Sequence, residues 1–297
     1  MPSDNQRLGI VVGVDESSAA EVAVRWAALD AELRKIPLTL VHAISPEFVP
    51  LPNMQLPPGL RQWQHDRGRR LIDDATKVVE KTCQYGGPAE IRSEVMPSSA
   101  VRALVDLSKD AELVVSGSRG SGQWPGRYMG SVSTGLLRYA HCPVAIVHDD
   151  DMALSYPSHA PVLVGIDGSS ASEFATATAF DEAARRNVGL IAVHAWSDAD
   201  VSDWPEIDWP AERSAAEAIL AERLAGWAER YPDVEIDRAV VCDRPARQLV
   251  QRSEDAQLVV VGSRGRGGFA GMLVGSVGET VAQMARVPVI VARDPLA

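Results

Sequence analysis

The sequence predicts two tandem α/β domains, each a doubly wound, five-stranded parallel sheet with helices on both faces. Three observations carry that expectation. The first is self-similarity: "IVVGVDESSAAEVAVRWAALDAELRKIPLTLVHAIS" (10–45) matches "VLVGIDGSSASEFATATAFDEAARRNVGLIAVHAWS" (162–197). So long a period marks duplication of a whole domain rather than a solenoid. Asp15 and His42 recur as Asp167 and His194 at an offset of 152, whereas Gly117 and Pro143 recur as Gly262 and Pro288 at an offset of 145, so the second copy is seven residues shorter in its middle. The second observation is that short runs rich in Val, Ile and Leu alternate with helical periodicity, the mark of a parallel sheet covered on both faces. The third is length: 297 residues accommodate two domains of ordinary size. The expected domains are 1–150 and 160–297, joined through "HDDDMALSYPSHAP" (148–161), an acidic segment with Pro and Ser.

Within the first copy, "GIVVGVD" (9–15) reads as a buried strand. Ser18 and Glu21 have capping-box spacing and open a helix, with Val22, Trp26, Leu29 and Leu33 expected on its buried face. "PLTLVHA" (37–43) is the second strand, 46–58 a Pro-rich loop, and 60–82 a long helix. "IRSEVM" (91–96) is the third strand and "AVRALVDLSKD" (100–110) a helix. "AELVVSG" (111–117) is the fourth strand; a glycine-rich loop leads to the helix "SVSTGLLRYA" (131–140), and "CPVAIVH" (142–148) closes the sheet. The second copy repeats the box at Ser170 and Glu173 and ends on "VPVIVAR" (287–293). Right-handed crossovers give a doubly wound sheet, which binds ligands beyond the carboxyl ends of its strands where strand order reverses. Asp15, His42 and the glycine loop all fall at such ends.

Composition narrows the function. Lys plus Arg total 29 against 40 Asp plus Glu, a formal charge of −11. That argues against a general nucleic-acid or anionic-membrane surface, yet leaves room for a small anion in a local positive pocket. Cys83, Cys142 and Cys242 lie far apart, without metal-ligand or disulfide-framework spacing, and read as small buried hydrophobes in a reducing compartment. "MPSDNQRLGI" lacks the pattern of a signal peptide, and no apolar run reaches the roughly 18 residues of a membrane span. A cytoplasmic protein without membrane insertion is expected.

The glycine loop is the sharpest feature. Copy one has Gly117, Gly120, Gly122, Gly126 and Gly130; copy two has Gly262, Gly265, Gly267, Gly268, Gly271 and Gly275. Glycine permits close backbone approach, successive N–H groups form an anion nest, and a helix N-terminus adds orphan donors with partial positive charge. Ser131 and Ser276 can cap that helix or donate to a phosphate oxygen, and Arg119, Arg127, Arg264 and Arg266 can add charge. A single such loop is as consistent with a flexible connection, but the same spacing occurs twice in the same strand–loop–helix context, which favours a phosphate cradle. There is no GxxxxGK[ST], and "GVDES" and "GIDGS" after the first strands are not GxGxxG. Asp15 and Asp167 can accept hydrogen bonds from ribose hydroxyls or an adenine amino group. N-capping is their bland role, but Ser17 and Ser18 already offer caps.

These residues resemble the universal stress protein family in its nucleotide-binding branch, as a tandem member of the kind common in actinobacteria. The family signature G-x₂-G-x₉-G-[ST] reads here as Gly117, Gly120, Gly130-Ser131 and again as Gly262, Gly265, Gly275-Ser276. The resemblance implies an adenine-nucleotide α-hydrolase-like, Rossmann-like fold with one ATP per domain. Asp15 and Asp167 would hold ribose or base, and backbone at Val41 and Val193 would meet adenine. Gly13 and Gly165 would let the nucleotide lie against the first strand. The phosphates would fall to the loops and helix starts: Ser118, Arg119, Ser121, Gly122, Gln123, Arg127, Ser131 and Val132 in copy one, and Ser263, Arg264, Arg266, Gly267, Gly268, Ser276, Val277 and Gly278 in copy two. Copy one departs at "SGQWPGRYM" (121–129), where Trp124 and Pro125 stiffen the loop. The resemblance also implies edge-to-edge pairing of the last strands and a homodimer.

Other residues weigh less. His42 and His194 read as hydrogen-bonded structural histidines, since no triad-like Ser or Cys partner is evident. Asp198 either reaches a ribose or metal or is a solvated loop acid. The acids at 149–151 read as solvated linker, and Trp204 and Trp209 as packing over the core. With no activated nucleophile or paired carboxylates, binding outranks turnover. The expectation is an ATP-binding regulator of stress adaptation or growth. The alternatives are a slow ATPase or phosphotransferase using Asp15, Asp167 and Mg²⁺, and an assembly module in which ATP is structural.

Overall fold

The computed structural model describes residues 8–45, 58–120, 129–149, 159–195, 209–265 and 273–293. The chain divides into two compact units, Met1–Asp149 and Asp150–Ala297. In the first, β1 (Ile10–Gly13), α1 (Ser18–Arg34), β2 (Leu38–Ala43), α2 (Leu60–Thr82), β3 (Ile91–Met96), α3 (Ala100–Leu107), β4 (Leu113–Gly117), α4 (Ser131–Tyr139) and β5 (Val144–Val147) follow in order. The strands run β3-β2-β1-β4-β5, each neighbouring pair parallel. Ile10 faces Leu38 on one side and Leu113 on the other. Strand order therefore reverses between β1 and β4, and the crevice of the fold opens beyond Gly13 and Gly117. Helices α1 and α2 pack together over one face of the sheet, α3 and α4 over the other.

The second unit repeats the plan with β6 (Val162–Gly165), α5 (Ser170–Arg186), β7 (Leu190–Ala195), α6 (Trp209–Arg230), β8 (Ile236–Val241), α7 (Pro245–Arg252), β9 (Leu258–Gly262), α8 (Ser276–Met284) and β10 (Val289–Ala292). Its order is β8-β7-β6-β9-β10, again parallel, with Val162 between Leu190 and Leu258. Ile10, Val11, Val12, Val114 and Val115, like Val162, Leu163, Val164, Val259 and Val260, are fully buried. Strands covered on both faces need apolar side chains in both directions, which is why they read as unbroken runs.

Two local expectations are corrected. Helix α1 does not bury the stripe of Val22, Trp26, Leu29 and Leu33: Leu33 is 41% exposed, Val22 and Leu29 are half-buried, and only Trp26 is inside. The buried face is Ala20, Ala23, Val24, Ala27 and Ala31, flanked by Ala19 and Ala28. Small side chains let the helix settle close on β1 and β4, so the larger residues are displaced to its flanks. Nor is the helix capped from Ser18. The cap is Ser17, whose Oγ accepts from the Ala20 N–H at 3.1 Å. In the second unit it is Ser169, accepting from the Ser172 N–H at 3.2 Å. Glu21 and Glu173 pair instead with Arg25 and Arg223. Both helices end on a left-handed residue, Lys35 and Asn187, whose N–H satisfies carbonyls of the last turn.

Each of these helices also buries an acid near its end. Asp30 pairs with Arg34 at 2.8 Å, and Glu182 pairs with Arg186 at 2.9 Å and Arg185 at 3.5 Å. All three cysteines are unbridged; Cys142 is buried, while Cys83 and Cys242 are half-buried rather than fully inside. Among the described residues no helix is long and apolar enough to cross a membrane.

Candidate functional site

The chain leaves β1 at Gly13 and keeps strand-like pairing one residue longer, with Val14 N–H donating to the Val41 carbonyl at 2.8 Å. Asp15 then turns the chain. Its Oδ1 accepts from the Ser17 N–H at 2.9 Å and lies 2.5 Å from Ser17 Oγ. One serine thus fixes the carboxylate and caps α1, so the acid and the helix start are oriented together. Domain two repeats this: Ile166 N–H donates to Val193, and Asp167 Oδ1 accepts from the Ser169 N–H at 2.9 Å.

The glycine loop comes alongside from β4. A Cβ placed on Gly120 would stand 3.0 Å from Asp15 Oδ2, and one on Gly265 would stand 2.6 Å from Asp167 Oδ2. In each domain the second signature glycine and the acid after the first strand are therefore neighbours, though about a hundred residues separate them in sequence. The loop is fastened at its neck. Ser118 N–H donates to Val147 and Gly130 N–H to the Ser118 carbonyl, both at 2.7 Å; Ser263 N–H donates to Ala292 at 2.8 Å and Gly275 N–H to Ser263 at 2.7 Å. The helices that follow start at N-caps Gly130 and Gly275, and neither receives a side-chain cap. Such ends present N–H donors to an anion.

The placements of the other candidates differ in kind. Gly13 and Gly165 owe their missing side chains to helix packing: a Cβ there would meet Leu104 at 3.0 Å and Leu249 at 2.9 Å. Gly117 and Gly262 likewise lie under the start of the first helix, where an added Cβ would stand 2.7 Å from Ala19 backbone and 2.9 Å from Ala171 backbone. None of these signature glycines has a positive φ. Gly278 is buried, and a Cβ on it would meet the Gly262 carbonyl at 3.1 Å. Ser118 and Ser263 are buried, so side-chain contact with a ligand is not how they would serve, and Ser118 Oγ has no hydrogen-bond partner among the described residues. Val41 and Val193 are 2% exposed, their carbonyls already engaged by Val14 and Ile166. Ser131 and Ser276 are not caps; they are the exposed first residues of α4 and α8, beside half-buried Val132 and Val277. Ser121, Gly122, Gln123, Arg127, Asp198, Arg266, Gly267 and Gly268 lie outside the described residues, as do Trp204 and the Trp209 side chain.

The histidines are tied into the walls. Nδ1 of His42 donates to the Val14 carbonyl at 2.8 Å and that of His194 to Ile166 at 2.7 Å, which fixes the ring tautomer and leaves Nε2 an acceptor. Domain one has an extra strut where Glu16 meets Arg67 of α2, whose guanidinium also lies 5.3 Å over the Trp63 ring. The hydrogen bond from Arg67 holds Glu16 below the usual carboxylate range. Domain two has Gly168 at that place, in left-handed conformation. Arg119 Nη2 lies 3.2 Å from Asp149 Oδ1, and Ser18 Oγ donates to Asp149 Oδ2 at 3.3 Å. Neither Asp149 nor the Glu16–Arg67 pair is singled out by motif reasoning. The available signal is that an acid follows the last strand in both copies, Asp149 and Asp294, at the same offset of 145. Among the described residues no group of three or more His, Cys, Asp and Glu is placed to hold a metal ion.

Comparison with known proteins agrees with this architecture. The model of the Universal stress protein family matches residues 9–148 and 159–293. A universal stress protein of Mycobacterium tuberculosis is 69% identical over 296 residues, covering 100% of both chains. One from Mycolicibacterium smegmatis is 48% identical over 287 residues, covering 96% of this chain and 97% of its own. The crystal structure of a universal stress protein from Archaeoglobus fulgidus superposes with a TM-score of 0.71 at 21% identity, covering 97% of this chain and 99% of that one, a likeness of fold.

Proposed function

The chain belongs to the universal stress protein family, and from that premise we propose that each of its domains binds one adenine nucleotide, ATP in the cell, as a nucleotide-dependent regulator of stress adaptation. The observation that carries this reading is the twofold meeting of an acid after the first strand with the second signature glycine, Asp15 with Gly120 and Asp167 with Gly265, at the point where strand order reverses. In such a crevice the carboxylates would accept from ribose hydroxyls or the base amino group, and the loop and uncapped helix start would face the phosphates. The residues present fit that division: one acceptor-only group and one anion-attracting loop stand side by side in each domain.

Binding without turnover is the favoured form. Asp15 Oδ1 is committed to Ser17 and the start of α1 rather than held ready as a general base. Self-association into a homodimer belongs to the same reading. Light scattering across a concentration series tests it; a strict monomer would remove it.

Calorimetric titration of nucleotide-stripped protein with ATP tests the central claim. A stoichiometry near two per chain is expected, with nucleotide also released on denaturing freshly purified protein. No binding at millimolar ATP would overturn it, and phosphate release above buffer would move the reading towards an enzyme.

A further inference from the structure

We infer that Asp149 sets the charge selectivity of the first domain's site, disfavouring ligands in proportion to their phosphate charge. The inference rests on the reading of that site as a nucleotide cradle and adds to it a residue that limits what the cradle accepts. Arg119 stands inside the signature, between Gly117 and Gly120, and its guanidinium faces Asp149 at 3.2 Å. The other carboxylate oxygen accepts from Ser18, the first residue of α1, at 3.3 Å. Asp149 thus bridges the signature arginine and the Ser18 hydroxyl, two donors that serve a phosphate for the same reason that they serve a carboxylate. A phosphate arriving there competes with an anion already covalently present.

The consequence scales with ligand charge. Adenosine has no phosphate to compete. A monophosphate meets one weak competitor, and a triphosphate places the most charge against the Asp149 carboxylate and gains least from an arginine already paired. Asp149 is the more sheltered partner, 22% exposed against 51% for Arg119, so the arginine end can swing away while the carboxylate stays. The half-exposed setting keeps the effect modest, on the order of threefold, and sensitive to salt.

Nucleotide-stripped full-length parent, Asp149→Asn and Asp149→Ala are titrated with ATP and with AMP at low and high ionic strength, with thermal melting to verify folding. Both variants should tighten one of the two sites for ATP by about threefold, tighten AMP less, leave the second site unchanged, and lose the gain at high salt. An unchanged ATP-to-AMP ratio would overturn the inference. Weaker ATP binding would overturn it too, since Asp149 would then be orienting Arg119 towards phosphate. A parent that binds neither nucleotide fails differently: it removes the site itself, and the inference with it.

Discussion

The Cβ that Gly117 lacks would stand 2.7 Å from the backbone of Ala19. A strand end and a helix start are thus in backbone contact, and Gly262 repeats the contact with Ala171. The obstructing atoms are main chain, so no rotamer change relieves them. Gly117→Ala and Gly262→Ala should each cost about 1–3 kcal/mol of stability, the range of an overpacked core. Nucleotide binding should weaken only in the domain altered. Gly120→Ala meets the Asp15 carboxylate instead, so it should cost less stability while impairing binding as much. Denaturant unfolding alongside two-site calorimetry checks this; a Gly117→Ala protein as stable as the parent would refute the packing account.

Ser17 both caps α1 and fixes Asp15. Ser17→Ala should destabilise the first domain by about 1 kcal/mol, a typical cap loss. It should also weaken the first site's nucleotide affinity, because the carboxylate loses the hydroxyl bond and keeps only the backbone N–H bond from residue 17. Ser17→Thr, which keeps the hydroxyl, should restore much of both. Loss of stability with unchanged affinity would show that Asp15 needs no such support.

Glu182 is buried among helix residues and pairs with Arg185 and Arg186. Removing one member of a buried pair strands the other charge. Glu182→Ala should therefore cost about 3–5 kcal/mol. Replacing Glu182 and Arg186 together with apolar residues should recover a large part of it. A chemical-denaturation double-mutant cycle measures both, and additive losses would argue that the two charges are not coupled.

Glu16 is held below the ordinary carboxylate range by its hydrogen bond from Arg67. Its contribution to stability is therefore complete above the unfolded-state pKa and disappears as pH falls through the lower folded-state value. Parent and Glu16→Gln should differ most near neutrality and converge in acid, with the gap narrowing in salt because the pair is exposed. Urea unfolding from pH 7 downward provides the comparison. A gap that widened on acidification would contradict the assignment.

Much of this molecule is legible before any coordinates. The internal offset of Asp15 to Asp167 and the doubled signature fix the duplication, the element order and the meeting of acid with loop, because each depends on strand periodicity and on glycine spacing. What the sequence hides is choice among near-equivalent residues. Ser17 and Ser18 are adjacent serines, and in the fold Ser17 caps the helix while Ser18 turns to Asp149. Val22 and Leu29 look more like core than Ala23 and Ala27, yet the close seat of α1 on β4 admits only the smaller set. The glycines at 13, 117, 165 and 262 read as ligand approach, whereas their nearest constraint is a packed helix. Asp149 reads as linker because its partner Arg119 lies 30 residues away.

The hydrogen bond from Gly130 to Ser118, and its copy from Gly275 to Ser263, has a consequence for how the two halves can diverge. The bond couples strand to helix directly, without passing through the chain between the second and third signature glycines. "SGQWPGRYM" and "RGGFAGMLV" differ at seven of their nine positions while the necks are alike. A duplicated gene can therefore retune one half without re-solving the fold of either. The same anchor invites a graft: exchanging 121–128 with 266–273, and leaving the buried Met129 and Val274 in place, should carry each loop's ligand preference to the other half.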